Sequence, residues 1–274
     1  MTNSDYLMNV VNTRKQNSVY TSNEIAVYNY VSQIINNWYN EFKSSNHNAI
    51  YLTLDIQQSG SRAKGTAIKG KSDIDIFLSF YDPNGYFKLE ELYDQIYGCL
   101  NRVFKNARKQ NVSIGIKYNG FDIDVVPARK VNSASYVKQM TRYNDHYLWS
   151  QKKQNRMLTN IQRHIDLIKY SGLINEIIIA KVWREQKGID FPSIYLELFV
   201  KEAFSNYNGY GKTFENRILH MFSYIRDNIE NKRIVDPGNC GNILSDDLSM
   251  TEKRQIKNAA QDAINAEFWT EVVK

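Results

Sequence analysis

Cysteine is scarce in this chain: Cys99 and Cys240 are the only two among 274 residues. Two thiols are too few for a disulfide framework, and no Cys/His cluster has the spacing of a zinc site. No stretch approaches the ~20 consecutive apolar residues that a membrane-spanning helix needs. The opening Met1-Thr-Asn-Ser-Asp-Tyr6 has no basic region followed by an apolar run, the pattern of a secretory signal. No repeat or low-complexity tract stands out. These absences exclude a disulfide-stapled scaffold and a helical membrane protein, and they set the expectation of a reduced, cytoplasmic setting.

What is present is a moderate excess of positive charge, +6 at neutral pH, which favours anionic partners such as nucleotides or a nucleic acid. Basic residues gather at Arg14-Lys15, from Lys105 to Lys109, and at Lys152, Lys153 and Arg156. A solvated helix face and a polyanion site are both open readings of such clusters.

The most informative run is Ser59-Gly-Ser-Arg-Ala-Lys-Gly-Thr-Ala-Ile-Lys-Gly-Lys-Ser-Asp-Ile-Asp-Ile-Phe77. A Gly60-Ser61 turn leads through a short helix-compatible stretch to a strand carrying Asp73 and Asp75. Residues at i and i+2 of a strand share a face. Ile74, Ile76, Leu78 and Phe80 form an apolar stripe on the other face, which packs the strand on a core. Two carboxylates side by side repel unless a cation sits between them. A second alternating strand, Phe121-Asp-Ile-Asp-Val-Val-Pro127, follows the Asn119-Gly120 hairpin signal. It brings a third carboxylate, Asp124, toward the pair. Oxygen-only ligands of this kind suit Mg²⁺, with Mn²⁺ as the alternative. Sites built so serve phosphoryl chemistry. Gly60 permits close backbone approach to a phosphate, and Ser61 offers an N–H and a hydroxyl at a helix start.

The remaining patterns set the organisation. Thr21-Ser-Asn-Glu24 reads as a capping box opening a helix with Ile25, Tyr28, Val31, Ile35, Trp38 and Phe42 on one stripe. Ile50–Ile56 reads as a strand, Asp82-Pro-Asn-Gly85 as a turn, and Lys88–Arg108 as a helix. Residues 1–20 are polar and show little pattern. From about Ser133 the patterns are nearly all helical: near 135–148, 156–170, 173–187, 193–205, 212–231 and 246–271. The expected fold is α+β and bilobal, with a mixed-sheet catalytic lobe and flanking helices over residues 1–132 and a helical lobe over 133–274. Clefts between lobes are favoured ligand sites.

The segment from Gly60 to Phe77, with Asp124-Val-Val-Pro-Ala128, resembles the DNA polymerase β-type nucleotidyltransferase superfamily. Within it, the branch of 2′,5′-oligoadenylate synthetases, cyclic GMP-AMP synthase, bacterial CD-NTases and archaeal CCA-adding enzymes is the most similar. Lys181-Val-Trp183, Phe191-Pro-Ser-Ile-Tyr-Leu-Glu-Leu-Phe199 and Val235-Asp-Pro-Gly-Asn-Cys-Gly-Asn242 resemble further family segments, in family order. The resemblance implies a Mg²⁺-dependent enzyme whose Asp73, Asp75 and Asp124 hold metal. It assigns Ser61, Lys181 and Ser193 to the triphosphate, and puts Lys64 where relatives often carry a phosphate-contacting Arg. It also implies a spine helix near the N-terminus. Relatives often stack a nucleobase on an aromatic residue after the Ser193 position; here that residue is Ile194, which leaves base preference open. No Cys/His zinc-binding insertion interrupts these segments, unlike the animal DNA-sensing member, and the expectation is a protein without the extra tRNA-binding domains of the archaeal enzymes. The expectation is a compact CD-NTase that joins NTPs into a cyclic di- or oligonucleotide. Its product would reach a downstream effector in bacterial anti-phage signalling, and a structured RNA is a candidate activator. The rival readings are nucleotide addition to an RNA end or a protein, and a catalytically idle RNA-binding sensor.

Overall fold

The structure, a computed structural model, describes residues 2–16, 20–132 and 144–274. It divides into two compact units. The sheet unit comprises Asn17–Ala63 and Ser72–Arg163; the helical unit comprises Met1–Gln16, Lys64–Lys71 and His164–Lys274.

In the sheet unit, the long helix α2 (Ser22–Ser45) opens on the expected capping box. The Thr21 hydroxyl accepts from the Glu24 N–H, and the Glu24 carboxylate accepts from the Thr21 N–H at 2.7 Å. Val27, Val31, Ile35 and Trp38 are buried at helical spacing. The chain then forms β1 (Thr53–Gln58), the short helix α3 (Gly60–Lys64), β2 (Ile74–Tyr81) and α4 (Leu89–Phe104). It continues through β3 (Arg108–Lys109), β4 (Ile114–Tyr118), β5 (Phe121–Lys130), β6 (His146–Ser150) and β7 (Asn155–Thr159). The seven strands make one mixed sheet, ordered β1-β2-β5-β4-β3, with β6 also pairing with β5, and β7 with β6. β2 and β5 run parallel; every other pairing is antiparallel. Asn119 and Gly120 both have positive φ, 49° and 82°, as a two-residue hairpin turn between β4 and β5 requires. One sheet face packs Ile74, Ile76, Leu78, Phe80, Ile123 and Val125 against Leu92, Ile96 and Leu100 of α4 and against α2.

The helical unit contains α1 (Asn3–Arg14), α5 (Ile161–Lys169, from His164 onward), α6 (Ile174–Gln186), α7 (Ser193–Ala203), α8 (Phe214–Asn228) and α9 (Met250–Asn265), with a small hairpin of β8 (Val235–Asp236) and β9 (Asn239–Ile243). Trp183, Tyr195, Phe199, Phe222 and Ile177 sit at the centre of its core.

Three features differ from the sequence expectation. The polar first twenty residues contain α1, whose Leu7, Val10 and Val11 line one helical face and join the helical unit's core. Residues 146–148 and 156–159, expected as helix, lie in the strands β6 and β7. Tyr147, Leu148, Trp149, Met157 and Leu158 also fit a two-strand ribbon, and pairing with the edge of β5 decides between the periods. The first part of the expected 135–148 helix falls outside the described residues. The units consequently part at Arg163 rather than after residue 132, and α2, the expected spine, groups wholly with the sheet unit.

The start of α2 also anchors α3. Glu24 pairs with the buried guanidinium of Arg62, which lies 5.0 Å from the Tyr20 ring. Removing one partner of a buried pair leaves a charge without compensation. Glu24→Ala should therefore cost about 3–5 kcal/mol in denaturant unfolding, against about 1 kcal/mol for Thr21→Ala, which loses only the cap.

Candidate active site

Parallel pairing of β2 with β5 sets Asp75 directly beside Asp124. Asp73 precedes β2 by one residue and points to the same face. Both Asp73 and Asp124 have raised pKa values. For Asp124 the causes are burial and then the charge of Asp73; for Asp73 they are loss of water around the carboxyl and then the charge of Asp122. Three like charges are thus gathered on one sheet face, at a cost that a cation would remove.

Gly60 closes one side of this site. Its φ is +64°, and a Cβ there would fall inside the Asp75 carboxylate. Glycine is demanded twice, by the left-handed backbone and by the anion against it. The Ser59 N–H donates to the Asp75 carbonyl at 3.1 Å, so the turn is tied to the strand it serves. Ser61 follows in the first turn of α3.

Gly115 has the same function on the other side. It is the β4 partner of Asp124, and a Cβ there would meet Gln110 Nε2 at 2.7 Å and Arg108 Nε at 3.2 Å. The Gln110 side chain opposes the rise in the Asp124 pKa, and Ser113 Oγ donates to Gln110 Oε1. Arg108 supplies a nearby positive charge to Asp73 and Asp124. Sequence reasoning missed Gln110 and Arg108; the available signal was a glycine inside a strand, which marks close approach. Asp122, on the same face, is engaged by Lys117 at 3.2 Å and Arg108 at 3.6 Å.

The donor set is oxygen-only and the site carries excess negative charge, which fits a hard divalent cation such as Mg²⁺. Among the described residues, no three His, Cys, Asp or Glu side chains are gathered closely enough to hold a metal ion as they stand.

The other candidate residues lie within the helical unit. Lys64 and Lys181 both contact Glu197 at 2.6 Å, and Lys181 also donates to the Thr66 hydroxyl at 2.9 Å and the Thr66 carbonyl at 3.1 Å. Thr66 Oγ1 completes the set by donating to Glu197 Oε1 at 2.7 Å. Burial alone would raise the Glu197 pKa, but Lys64 and then Lys181 bring it down to about 2. Burial lowers the pKa of Lys181, opposed by Glu197. The cluster holds two cations for one anion (2 − 1 = +1). Ser193 accepts from Arg184 Nη2 at 3.0 Å, and Arg184 Nη1 donates to the Phe191 carbonyl at 2.6 Å. Asp236 accepts from His164 at 2.6 Å, Gly238 N–H at 2.8 Å and Asn242 at 3.1 Å, so its segment is a self-closed turn. Ile194 is half-buried against the core, and the adjacent Tyr195 is buried between Phe191 and Phe199.

A nucleotidyltransferase domain model matches residues 48–182. That span contains both strands and all three aspartates. The chain carries a nucleotidyltransferase domain. Among curated proteins, the CCA-adding enzyme of Methanosarcina barkeri is 36% identical over 86 residues, 30% of this chain and 19% of that enzyme. The cyclic AMP-AMP-AMP synthase of Escherichia coli MS 115-1 is 25% identical over 198 residues, 65% of this chain and 58% of the synthase. The chain thus matches about a fifth of the first relative and under two thirds of the second. CdnC of E. coli MS115-1, solved with ATP, superposes with a TM-score of 0.69 at 20% identity, over 96% of this chain and 91% of CdnC. The fold is that of the bacterial CD-NTases, as the sequence resemblance implies.

Two outcomes follow. Gly60→Ala should displace Asp75 and reduce nucleotidyl transfer about 100-fold or more, the scale of a 1 Å misplacement of a reacting group, with a strain cost of about 1–3 kcal/mol in thermal unfolding. Glu197 has a lowered folded pKa, so its stabilisation is present above the unfolded carboxyl value of about 4. It is lost as pH falls from there toward about 2. Acid titration of the wild type should show that loss, whereas Glu197→Ala should be destabilised by about 3–5 kcal/mol already at pH 7.

Proposed function

We propose that this protein joins NTPs into a short, cyclic oligonucleotide and releases pyrophosphate. The observation that carries the reading is the in-register pairing of Asp75 with Asp124, closed by Gly60. Asp73, Asp75 and Asp124 would hold Mg²⁺ or Mn²⁺, which when bound supplies charge neutralisation on the triphosphate and acidifies the attacking hydroxyl. Asp124 accepts the proton of that ribose hydroxyl. The new bond joins the hydroxyl oxygen to the α-phosphorus, and the bond from that phosphorus to the β-phosphate bridging oxygen breaks. Ser61, half-buried in the first turn of α3, would donate to a phosphate oxygen. The family resemblance assigns Lys64, Lys181 and Ser193 to the triphosphate as well. The similarity to a cyclic AMP-AMP-AMP synthase and to a CdnC solved with ATP supports NTPs as substrates and a cyclic product. Such a product acts as a signal to a separate effector, in keeping with a defence role.

The matches to CCA-adding enzymes favour a second reading, addition of nucleotides to an RNA end. Labelled NTPs with Mg²⁺, with and without structured RNA, separate the two. A small phosphatase-resistant product with equivalent pyrophosphate is expected; label on the RNA itself would establish the second reading, and no transfer under any condition would reject both. Asp73→Asn, Asp75→Asn and Asp124→Asn should each lower the rate about 1,000-fold, as loss of several kcal/mol of charge stabilisation implies. Relief of repulsion should raise the metal-free Tm of Asp124→Asn by roughly 2–4 °C, the equivalent of about 1 kcal/mol.

A further inference from the structure

Arg129 lies five residues beyond Asp124 on β5, so the two side chains leave opposite faces of the sheet. Strand pairing extends the Arg129 face outward. Arg129 opposes Tyr147, Trp149 follows two residues along β6, and Trp149 opposes Arg156 on β7. Arg129, Trp149, Arg156 and the start of α4 line a surface hollow of about 250 Å³. Its lining includes Arg129, Arg156, Lys88, Trp149, Asn155 and Glu90. Three cations and one carboxylate leave a net charge of +2 (3 − 1 = 2).

The hollow is built rather than incidental. Arg129 is half-buried and anchored by donation from Nη1 to the Phe87 carbonyl at 2.7 Å. The Arg156 guanidinium stacks 4.7 Å from the Tyr147 ring. Neither arginine has a carboxylate partner among the described residues. Helix α4, 16 residues long, begins at this hollow, and its N-cap residue Lys88 makes no side-chain cap. Its first-turn N–H groups and dipole therefore favour an anion there.

We propose that this hollow binds a small phosphate-bearing anion, on the sheet face opposite the catalytic carboxylates. Planar guanidinium groups recognise phosphate oxygens by paired N–H donation. The helix start supplies further donors, and Trp149 offers a flat apolar surface to whatever carries the phosphate. The volume lies below the roughly 300–1,000 Å³ typical of sites for drug-sized ligands. It suits inorganic phosphate, pyrophosphate or a mononucleotide rather than a longer chain. The site is independent of the catalytic reading, because it shares no residue with the carboxylate face.

The test is titration of the full chain, in EDTA so that no transfer occurs, with phosphate, pyrophosphate and AMP, followed by calorimetry and tryptophan fluorescence. Saturable one-to-one binding of at least one anion is expected, with a fluorescence change that disappears in Trp149→Phe. Arg156→Glu should weaken binding about tenfold or more, a loss of about 1.4 kcal/mol. Arg156→Gln, which keeps the stem of the side chain, should also weaken it and serves if the charge reversal does not fold. Tighter binding of AMP than of phosphate would identify a nucleotide as the occupant; the reverse order would identify a free phosphate, and both support the site. Absence of saturable binding for all three, or equal affinity in a folded Arg156 variant, would overturn it. Because the readout is binding without metal, it stands or falls separately from product synthesis.

Discussion

The parallel pairing of β2 with β5 is the constraint on which the candidate site depends. It aligns Asp75 with Asp124 and brings Asp73 within electrostatic reach, so that one sheet face collects charges that repel. Such an arrangement is unfavourable in isolation, and the surrounding structure is organised to bear it. The apolar residues of the same two strands, buried on the opposite face, fix the register. A one-residue slip would expose that core and bury the carboxylates. Gln110 and Arg108, admitted by Gly115, partly offset the charge.

Two glycines mark the places where backbone must yield to these anions. Gly60 makes room for the carboxylate of Asp75, and Gly115 for the groups that approach Asp124. The short helix after Gly60 is held from behind by the Glu24–Arg62 pair, which links it to the first turn of α2. In the helical unit the same problem takes the opposite sign. Two buried lysines surround one carboxylate, Glu197, whose ionisation they enforce. Catalytic and structural electrostatics therefore share one logic: charge is concentrated first and compensated locally.

Much of this was legible in the chain itself. Alternation of apolar and acidic residues in Asp73–Phe80 and Phe121–Val125 specified the two strands and their faces, and Asn119-Gly120 specified the hairpin. The family and its fold were readable from the order of motifs between residues 60 and 242. Three things were not. The β6–β7 ribbon has apolar residues that satisfy either period, and only the free edge of β5 selects strand. The contribution of α1 to the helical core rests on Leu7, Val10 and Val11, with Tyr6 and Met8 partly buried beside them, a short run among polar neighbours. Lys64 and Thr66 lie more than a hundred residues from Glu197 in sequence, and Thr66 more than a hundred from Lys181, so no local pattern announces these contacts.

The central claim is that Asp73, Asp75 and Asp124 together hold the divalent cation that serves an NTP. It is tested most directly by a crystal structure of the full chain with Mn²⁺ and a non-hydrolysable ATP analogue, recorded with anomalous scattering. The account predicts anomalous density on the carboxylate face, within ligand distance of oxygens from all three aspartates and of the triphosphate. Manganese bound only by the triphosphate, or at a position that leaves Asp124 unligated while the nucleotide is in place, would contradict it.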